Sequence, residues 1–229
     1  MKDRAIWNEV DEWGDWMVEF IPCKKGPDFS EESFIELTNR WNKKVDEEGF
    51  DVLMAVRLEP ESDNNDYDFL WQQELWTKDR DKFWTDWKEI HESNWNEENE
   101  SVVFCDTENI LDYKAHIRGE VKFHDPLFYY QDFRFCNYKE GYDDSDLLAF
   151  EKSFNEDITK AGLEGPALSA FLQPLSDHDK DSFDLIWHNC YQDLNQKKLS
   201  SKIIDTGINE FLTFELISHT GSRFRLMDI

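Results

Sequence analysis

Three polar residues in the second half of the chain could form a small catalytic group: Asp132, Arg134 and His188. An arginine can hold a carboxylate or an enolate, and a histidine with a pKa near neutrality can move a proton. The first half of the chain has Ile21 and Gln72 in place of the arginine and the histidine. A catalytic site would therefore belong to the second half. The alternative is a surface ion pair between Arg134 and Asp132, with His188 hydrogen-bonded to its neighbours.

Other polar side chains could line a ligand pocket near the same place. Carboxylates that are gathered away from water raise one another's pKa, so they could transfer a proton, or they could bind a cation or a basic ligand. The alternative is that the carboxylates are solvated at strand ends and that the cysteines are small buried apolar residues. The predicted ligand-binding residues are Glu19, Cys23, Asp68, Gln72, Cys136 and Asp184.

The elements that would position these residues occur twice. Phe20-Ile-Pro-Cys23 matches Phe133-Arg-Phe-Cys136, and Tyr67-Asp-Phe-Leu-Trp71 matches Phe183-Asp-Leu-Ile-Trp187, at a nearly constant offset. A long unit that is present only twice indicates a duplicated domain. Alternating and helical spacings predict the order β-α-β-β-α-β in each copy. The predicted domains are an N-terminal arm (1–15), repeat 1 (16–112), a linker (113–127) and repeat 2 (128–229).

This order predicts an α+β fold of two tandem ferredoxin-like units, each with an antiparallel sheet whose first and third strands are central. On the third strands, aromatic residues alternate with a mixed polar row. We expect the aromatic row to face the helices and the mixed row to face away from them. The tryptophans Trp71, Trp76, Trp84, Trp87 and Trp95 are interpreted as core.

With two such units in one chain, the sequence resembles the dimeric α/β-barrel superfamily, and the resemblance implies that the two sheets pack into a single-chain α/β barrel. The superfamily includes cofactor-independent monooxygenases, haem-degrading enzymes, chlorite dismutases and lactone isomerases, so the resemblance does not imply one activity. Haem-degrading relatives use an Asn, a Trp and a His. Trp71 and Trp187 match the Trp, but the first strands have no Asn, and His91 lies late on its helix. No cofactor is therefore predicted, and haem is considered and disfavoured.

Composition excludes several classes of partner. The net charge is −26, with 51 acidic and 25 basic residues, which disfavours nucleic acid and anionic membranes. No apolar run is long enough to span a bilayer. The four cysteines are far apart and predict free thiols and a cytoplasmic location. The dispersed histidines predict no metal site. We expect a monomer or a weak homo-oligomer.

Two functions remain open at this point, and the sequence does not decide whether the protein is an enzyme. The first is a small-molecule binding protein or a cofactor-independent oxygenase or isomerase, with its pocket between the two sheets. The second is a non-catalytic structural or protein-interaction module whose barrel is filled by side chains. Aromatic residues, at 15% of the chain, could fill a small barrel in this way.

Overall fold

The fold is of the mixed α+β class. The structure is a computed structural model that describes residues 16–62, 66–118, 128–160, 165–175 and 183–226. The chain divides into two units. Among these residues, the N-terminal unit comprises those between 16 and 114 and between 221 and 226, and the C-terminal unit comprises those between 115 and 220. The predicted N-terminal arm lies outside the described residues. Among the described residues, no helix has the length and apolar character needed to cross a membrane.

The N-terminal unit contains two helical segments and a sheet. Its second helical segment is interrupted by a π-helical turn. The elements are β1 (Trp16–Lys25), α1 (Glu31–Glu48), β2 (Val52–Pro60), β3 (Phe69–Trp76), α2 (Thr77–Asp86), the π-helical turn (Trp87–His91), α3 (Glu92–Asn99), β4 (Val103–Cys105) and the first part of β5 (Leu111–Ile117).

The central strands of this unit are β1 and β3, as predicted. They pair antiparallel, from Trp16 opposite Trp76 to Cys23 opposite Phe69. Strand β2 lies on the other side of β3. Strands β4 and β5 pair with different parts of β1. The strand next to β2 is β9, whose last residues belong to this unit.

Helix α1 begins and ends at the residues that its sequence indicates. The Ser30 hydroxyl accepts a hydrogen bond from the backbone N–H of Ser33, and the Ser33 hydroxyl accepts one from the backbone N–H of Ser30. These two bonds satisfy donors that the first turn would otherwise leave unpaired. At the other end Gly49 has a φ of 68°, a conformation that glycine adopts without a steric penalty. Ser30 and Gly49 therefore cap the two ends of α1.

The C-terminal unit has the same order of elements. They are β6 (Phe128–Tyr138), α4 (Asp144–Lys160), β7 (Leu168–Pro174), β8 (Leu185–Tyr191), α5 (Leu194–Ile208) and the first part of β9 (Leu212–Leu226). The last part of β5 also belongs to this unit. The strand order is β9-β6-β8-β7-β5, which again places the first and third strands of the copy at the centre.

The aromatic rows face the helices in both units, as predicted. In the N-terminal unit Phe69 and Trp71 are buried in one core cluster with residues of α1, including Trp41. In the C-terminal unit Trp187 is buried in a second cluster, which includes Phe154 of α4. Alternation along a strand then sends the neighbouring mixed row to the opposite face of each sheet.

Two segments differ from the expected boundaries. Strand β5 occupies Leu111–Ile117, so the expected linker (113–127) begins inside a strand. Strand β9 extends to Leu226, and its last residues belong to the N-terminal unit, although repeat 2 was expected to include them. Arg225 illustrates this grouping, because its Nε atom lies 2.9 Å from the Val52 carbonyl oxygen of β2. The packing of the two sheets into one barrel stays a prediction.

The prediction of free thiols is wrong for two of the four cysteines. Cys23 and Cys105 form a disulfide, whereas Cys136 and Cys190 are free and buried. The bond forms because β4 pairs antiparallel with the end of β1, which places Cys105 directly opposite Cys23. The two residues are 82 positions apart, so their spacing in the sequence does not reveal this pairing.

Candidate functional site

A cavity lies between the sheet of the N-terminal unit and its helices. Its volume is about 50 Å³, measured as the space open to the centre of a water-sized sphere. That is room for about four water molecules. The side chains that line it come from β1, α1, β3, both parts of the second helical segment, and the segment around β4. They are Ile21, Leu37, Trp41, Trp71, Gln73, Phe83, Trp84, Trp87, Trp95, Asn96, Val103, Cys105 and Thr107.

Five tryptophans line this cavity. Two pairs of neighbouring rings are steeply inclined, at 76° between Trp41 and Trp71 and at 63° between Trp87 and Trp95, whereas Phe83 and Trp87 are nearly parallel, at 11°. Edge-to-face packing of this kind is favourable for aromatic pairs. Because five tryptophans line it, we refer to this cavity as the tryptophan cavity.

The π-helical turn helps to aim these rings. It follows α2 directly and leads directly into α3, and its N-terminal and C-terminal caps both have helical dihedral angles. A π-helical turn adds a residue to the helix, changes the direction of the following side chains, and occurs frequently at functional sites. Trp87 is the first residue of the turn, and Trp95 follows on α3. The interruption therefore occurs where two walls of the tryptophan cavity meet.

Glu19 lies in the layer behind the cavity wall. Its carboxylate accepts hydrogen bonds from two residues that line the cavity: Gln73 Nε2 at 2.7 Å and Trp84 Nε1 at 2.9 Å. Arg80 Nε donates a third bond at 2.8 Å. Glu19 is fully buried. A buried carboxylate of this kind is stable only when it is paired, and the pairing fixes the positions of Gln73 and Trp84.

Arg80 joins Glu19 to a second carboxylate. Its Nη2 lies 2.9 Å from Asp112 Oδ2 on β5. Burial alone would lower the pKa of Arg80, but its hydrogen bond to Glu19 and the charges of Glu19, Asp112 and Asp81 more than offset this and raise the pKa above its usual value. The guanidinium therefore stays charged and holds α2 against β1 and β5.

A further carboxylate lies behind the opposite part of the wall. The hydroxyl of Thr107, which lines the cavity, donates a hydrogen bond to Glu92 Oε1 at 2.6 Å. His91 also contacts the wall, because its ring lies 5.6 Å from that of Trp87. It is held between Lys44 and Glu48, at 3.3 Å from each.

The predicted residues of the N-terminal unit lie in three different places. Glu19 is behind the tryptophan cavity. Cys23 is on the same face of the sheet and is bonded to Cys105 of the cavity wall. Gln72 is on the opposite face, where it pairs with Phe20 across the strands. Asp68 is at the start of β3 and accepts a hydrogen bond from the backbone N–H of Lys25 at 2.7 Å.

The predicted ligand-binding residues of the C-terminal unit have structural contacts. Asp184 repeats the arrangement of Asp68, because it accepts a hydrogen bond from the backbone N–H of Tyr138 at 2.9 Å. Cys136 lies in the core cluster between the sheet and the helices. Burial raises the pKa of its thiol to about 12, so the thiolate that nucleophilic chemistry requires does not form near neutral pH.

The predicted group of Asp132, Arg134 and His188 is not brought together. Asp132 and Arg134 face α5, whereas His188 is on the opposite face of the sheet. The cause is the register of β6 and β8, which places Phe133 opposite His188 and Trp187 opposite Arg134. Burial lowers the pKa of His188 to about 3. Its ring stacks on Phe133 and hydrogen-bonds to Gln131, so it lacks the near-neutral pKa on which its predicted role depended.

Asp132 and Arg134 instead belong to a buried ion network beneath α5. Asp132 accepts hydrogen bonds from Ser201 and from Ser218, the latter at 2.6 Å, and lies 3.2 Å from Lys197 Nζ. Arg134 Nε donates to Asp205 at 2.7 Å. Burial alone would raise the pKa of Asp132, but these hydrogen bonds and nearby charges outweigh burial and lower it. The predicted surface ion pair is therefore a buried network.

Glu74, next to Gln72 on the face away from the helices, is a buried acid with few partners. Its Oε1 accepts a hydrogen bond from Gln72 Nε2 at 2.6 Å. Burial raises the pKa of Glu74 to about 7, and the hydrogen bonds from Gln72 and Trp16 offset this only in part. Ionisation of Glu74 therefore opposes folding.

We expect the variant Glu74→Gln to lose less stability than the wild type between pH 5 and pH 8. In the unfolded chain Glu74 ionises near pH 4.5, but in the folded protein it ionises near pH 7. The folded state binds the extra proton between these values, so stability falls as pH rises through this window and is constant above it. The difference amounts to roughly 3 kcal/mol by pH 8. Urea denaturation at both pH values measures it.

The matched control is Glu36→Gln, which removes the same charge from an exposed position of α1. It should show the pH dependence of the wild type. If Glu74→Gln also keeps that dependence, Glu74 does not carry it.

Four of the five cavity tryptophans are interpreted from the sequence only as core, and the sequence does not identify Trp41, Gln73, Asn96 and Thr107 as cavity residues. The helical spacing of the tryptophans is typical of any buried face, and a cavity leaves no mark in the sequence. Among the described residues, no group of three or more His, Cys, Asp or Glu side chains is placed to hold a metal ion.

Comparisons with known proteins show the fold. No protein-family model matches the chain, and no curated protein matches it. Solved structures do. A mutant chlorite dismutase from Candidatus Nitrospira defluvii has a TM-score of 0.57 and 10% identity, covering 91% of this chain and 92% of that one. A proposed monooxygenase from Fusobacterium nucleatum has a TM-score of 0.59 and 13% identity, with 93% and 94% covered.

A third similar structure is a haem-binding protein from Thermus thermophilus, with a TM-score of 0.55 and 12% identity over 92% of both chains. These structures are dimeric α/β-barrel proteins, so the resemblance stated from the sequence is confirmed at the level of the fold. Identities this low do not transfer an activity.

The described residues do not fit a haem. In the C-terminal unit the space between helices and sheet is filled by buried side chains, among them Leu147, Trp187 and Ile204. Helices α4 and α5 contain no histidine that could bind iron. In the N-terminal unit the tryptophan cavity has room for only about four water molecules, far less than a porphyrin needs. We therefore derive no chemistry through haem.

Proposed function

We propose that the protein binds a small molecule in the tryptophan cavity of its N-terminal unit. The observation that carries the proposal is the cavity itself, because aromatic rings and a few fixed polar groups line it together. Ligand sites have this composition: apolar walls provide affinity, and a small number of placed polar groups provide orientation. Gln73 is held in place by its bond to Glu19, and Thr107 by its bond to Glu92.

Binding without catalysis is the activity that these side chains support. Among the described residues that line the cavity, none exchanges a proton near neutral pH, because the single cysteine, Cys105, is in the disulfide. General acid–base catalysis requires such a group within hydrogen-bond reach of the substrate. The proposed site also lies within one unit, and not between the two sheets as first expected.

We also propose that the two units are copies of one ferredoxin-like ancestor. The matched acids Glu19 and Asp132 support this, because each lies on the helix side of the first strand of its copy. Each is bound by a cation from the second helical segment, Arg80 in one unit and Lys197 in the other. The described residues of the two copies differ, because five tryptophans line the cavity of the first, whereas the core cluster of the second contains one tryptophan, Trp187.

A thermal-shift screen of small organic compounds tests the binding proposal. We expect compounds that stabilise the wild type, by about 2.7 kcal/mol at 100 times the dissociation constant. The variant Asn96→Phe places a ring in the cavity and should abolish the stabilisation. The control Asn94→Phe makes the same change at an exposed position of α3 and should keep it.

Two results would count against the proposal. Stabilisation that persists in Asn96→Phe would place the ligand elsewhere. A screen without any stabilising compound would favour the alternative of a non-catalytic module whose interior is filled by side chains.

A further inference from the structure

The rings that line the tryptophan cavity lie in several planes. Trp41 and Trp71 meet at 76°, Trp87 and Trp95 at 63°, and Phe83 and Trp84 at 88°. The face of an indole ring carries a negative electrostatic potential, and a cation over that face is attracted to it, more strongly when water is excluded. Several inclined rings around a small space are the arrangement that surrounds a compact cation from more than one side.

The charges behind the walls also favour a cation. Glu19 is hydrogen-bonded to Gln73 and Trp84, and Glu92 is hydrogen-bonded to Thr107, so a carboxylate lies one side chain behind the cavity in two directions. Arg80 neutralises only part of this charge, because it is shared between Glu19 and Asp112. The three carboxylates and the one guanidinium therefore carry three negative charges and one positive charge: Glu19, Glu92, Asp112 and Arg80.

The other charged groups near the wall do not reverse this balance. Lys44 and Glu48 lie on either side of His91 and oppose each other. The chain as a whole has a net charge of −26, which raises the local concentration of cations around the protein. An anionic ligand would meet net repulsion from these charges.

The size and polarity of the cavity further limit the class of ligand that it can bind. Room for about four water molecules suits a compact group of a few heavy atoms. The five indole rings among the lining residues have no oxygen atom to accept the hydrogen bonds of a primary ammonium group with three N–H donors. A fully methylated ammonium has apolar methyl groups on its surface and no N–H donors, so it needs no hydrogen-bond acceptors.

We infer that the ligand of the tryptophan cavity is a small organic cation of the methylated ammonium class. This inference rests on the proposed function and names the class of ligand for the same site. The tryptophan rings bind the charge through their faces, Glu19 and Glu92 supply the negative potential behind them, and Gln73 and Asn96 border the ligand with amide groups.

Calorimetric titration of the full chain with two ligands of matched shape tests this inference. The first is choline. The second is 3,3-dimethylbutan-1-ol, in which a carbon atom replaces the charged nitrogen. We expect choline to bind roughly tenfold more tightly than the alcohol, since the two differ in charge and not in shape. We also expect choline binding to weaken as sodium chloride is added, because salt screens the surrounding negative charge.

Variants of Trp95 test whether the aromatic rings cause the preference for choline over the neutral alcohol. Trp95→Leu should reduce the preference for choline to less than about threefold, and Trp95→Phe should keep most of it, because phenylalanine retains a π face. The control Trp76→Leu removes a tryptophan that pairs with Trp16 outside the cavity, and it should leave the preference unchanged. Thermal melts confirm that each variant is folded.

The outcomes separate this inference from the proposed function. Equal binding of the two ligands, or tighter binding of the alcohol, would overturn the inference and leave a binding cavity for neutral molecules. Binding of neither ligand would also overturn it, while the compound screen with Asn96→Phe decides the proposed function by itself. A preference for choline that survives in Trp95→Leu would show that the rings do not select the charge.

Discussion

Replacement of Asp132 by alanine is expected to lower the free energy of unfolding by about 3–5 kcal/mol, because removing one partner of a buried ion network leaves the other charges without compensation. Asp132 is buried and is the common acceptor for Ser201, Ser218 and Lys197. Without it, the ammonium of Lys197, itself buried, would lose a carboxylate that lies 3.2 Å away. Urea denaturation followed by circular dichroism measures the change.

The control is Asp205→Ala in the same network. Asp205 binds Arg134, but the Asp205 side chain is 31% exposed, so water can replace part of the interaction that Arg134 loses. We expect this variant to lose clearly less stability than Asp132→Ala. Equal losses, or a loss below about 1 kcal/mol for Asp132→Ala, would contradict the buried network, since exposed ion pairs contribute no more than that.

Cys105→Ser is expected to lower the free energy of unfolding by about 3–4 kcal/mol under oxidising conditions. The disulfide closes a loop of 82 residues and restricts the unfolded chain, so its loss gives the unfolded state more conformational entropy. Denaturation with and without a thiol reductant measures this term. The reductant should destabilise the wild type by a similar amount and should leave Cys105→Ser unaffected.

The control for this experiment is Cys190→Ser, which alters a free cysteine. Whatever its own effect on stability, this variant should respond to the reductant as the wild type does. A wild type whose stability is independent of the reductant would show that Cys23 and Cys105 are not bonded.

Much of the fold is predictable from local patterns. Ser30 and Gly49 mark the ends of α1, and alternation on β3 sends Trp71 towards the helices. Strand β5 carries a comparable signal, since apolar and polar residues alternate from Leu111 to Ala115. It was missed because the repeat places a boundary at residue 112, in the middle of that alternation.

The candidate site is less predictable because it depends on contacts between distant segments. Asp132 and Arg134 share a face by alternation, but only the register between β6 and β8 decides that His188 lies on the other face. A shift of one residue would have reversed the result. The disulfide depends in the same way on the pairing of β4 with β1.

The tryptophan cavity arises from a further property that the sequence does not contain. Apolar residues at helical spacing predict that α2 and α3 face a core, but they do not predict whether the core is filled. That depends on the π-helical turn, which changes the direction of Trp87 and Trp95. A spacing argument that assumes a regular α-helix cannot include such a turn.

The most direct test of the account is a crystal structure of the protein grown in saturating choline. The account predicts electron density for the trimethylammonium group inside the tryptophan cavity, in contact with the rings of Trp87 and Trp95. Choline density only outside this cavity, or a cavity that holds side chains or water alone, would contradict it.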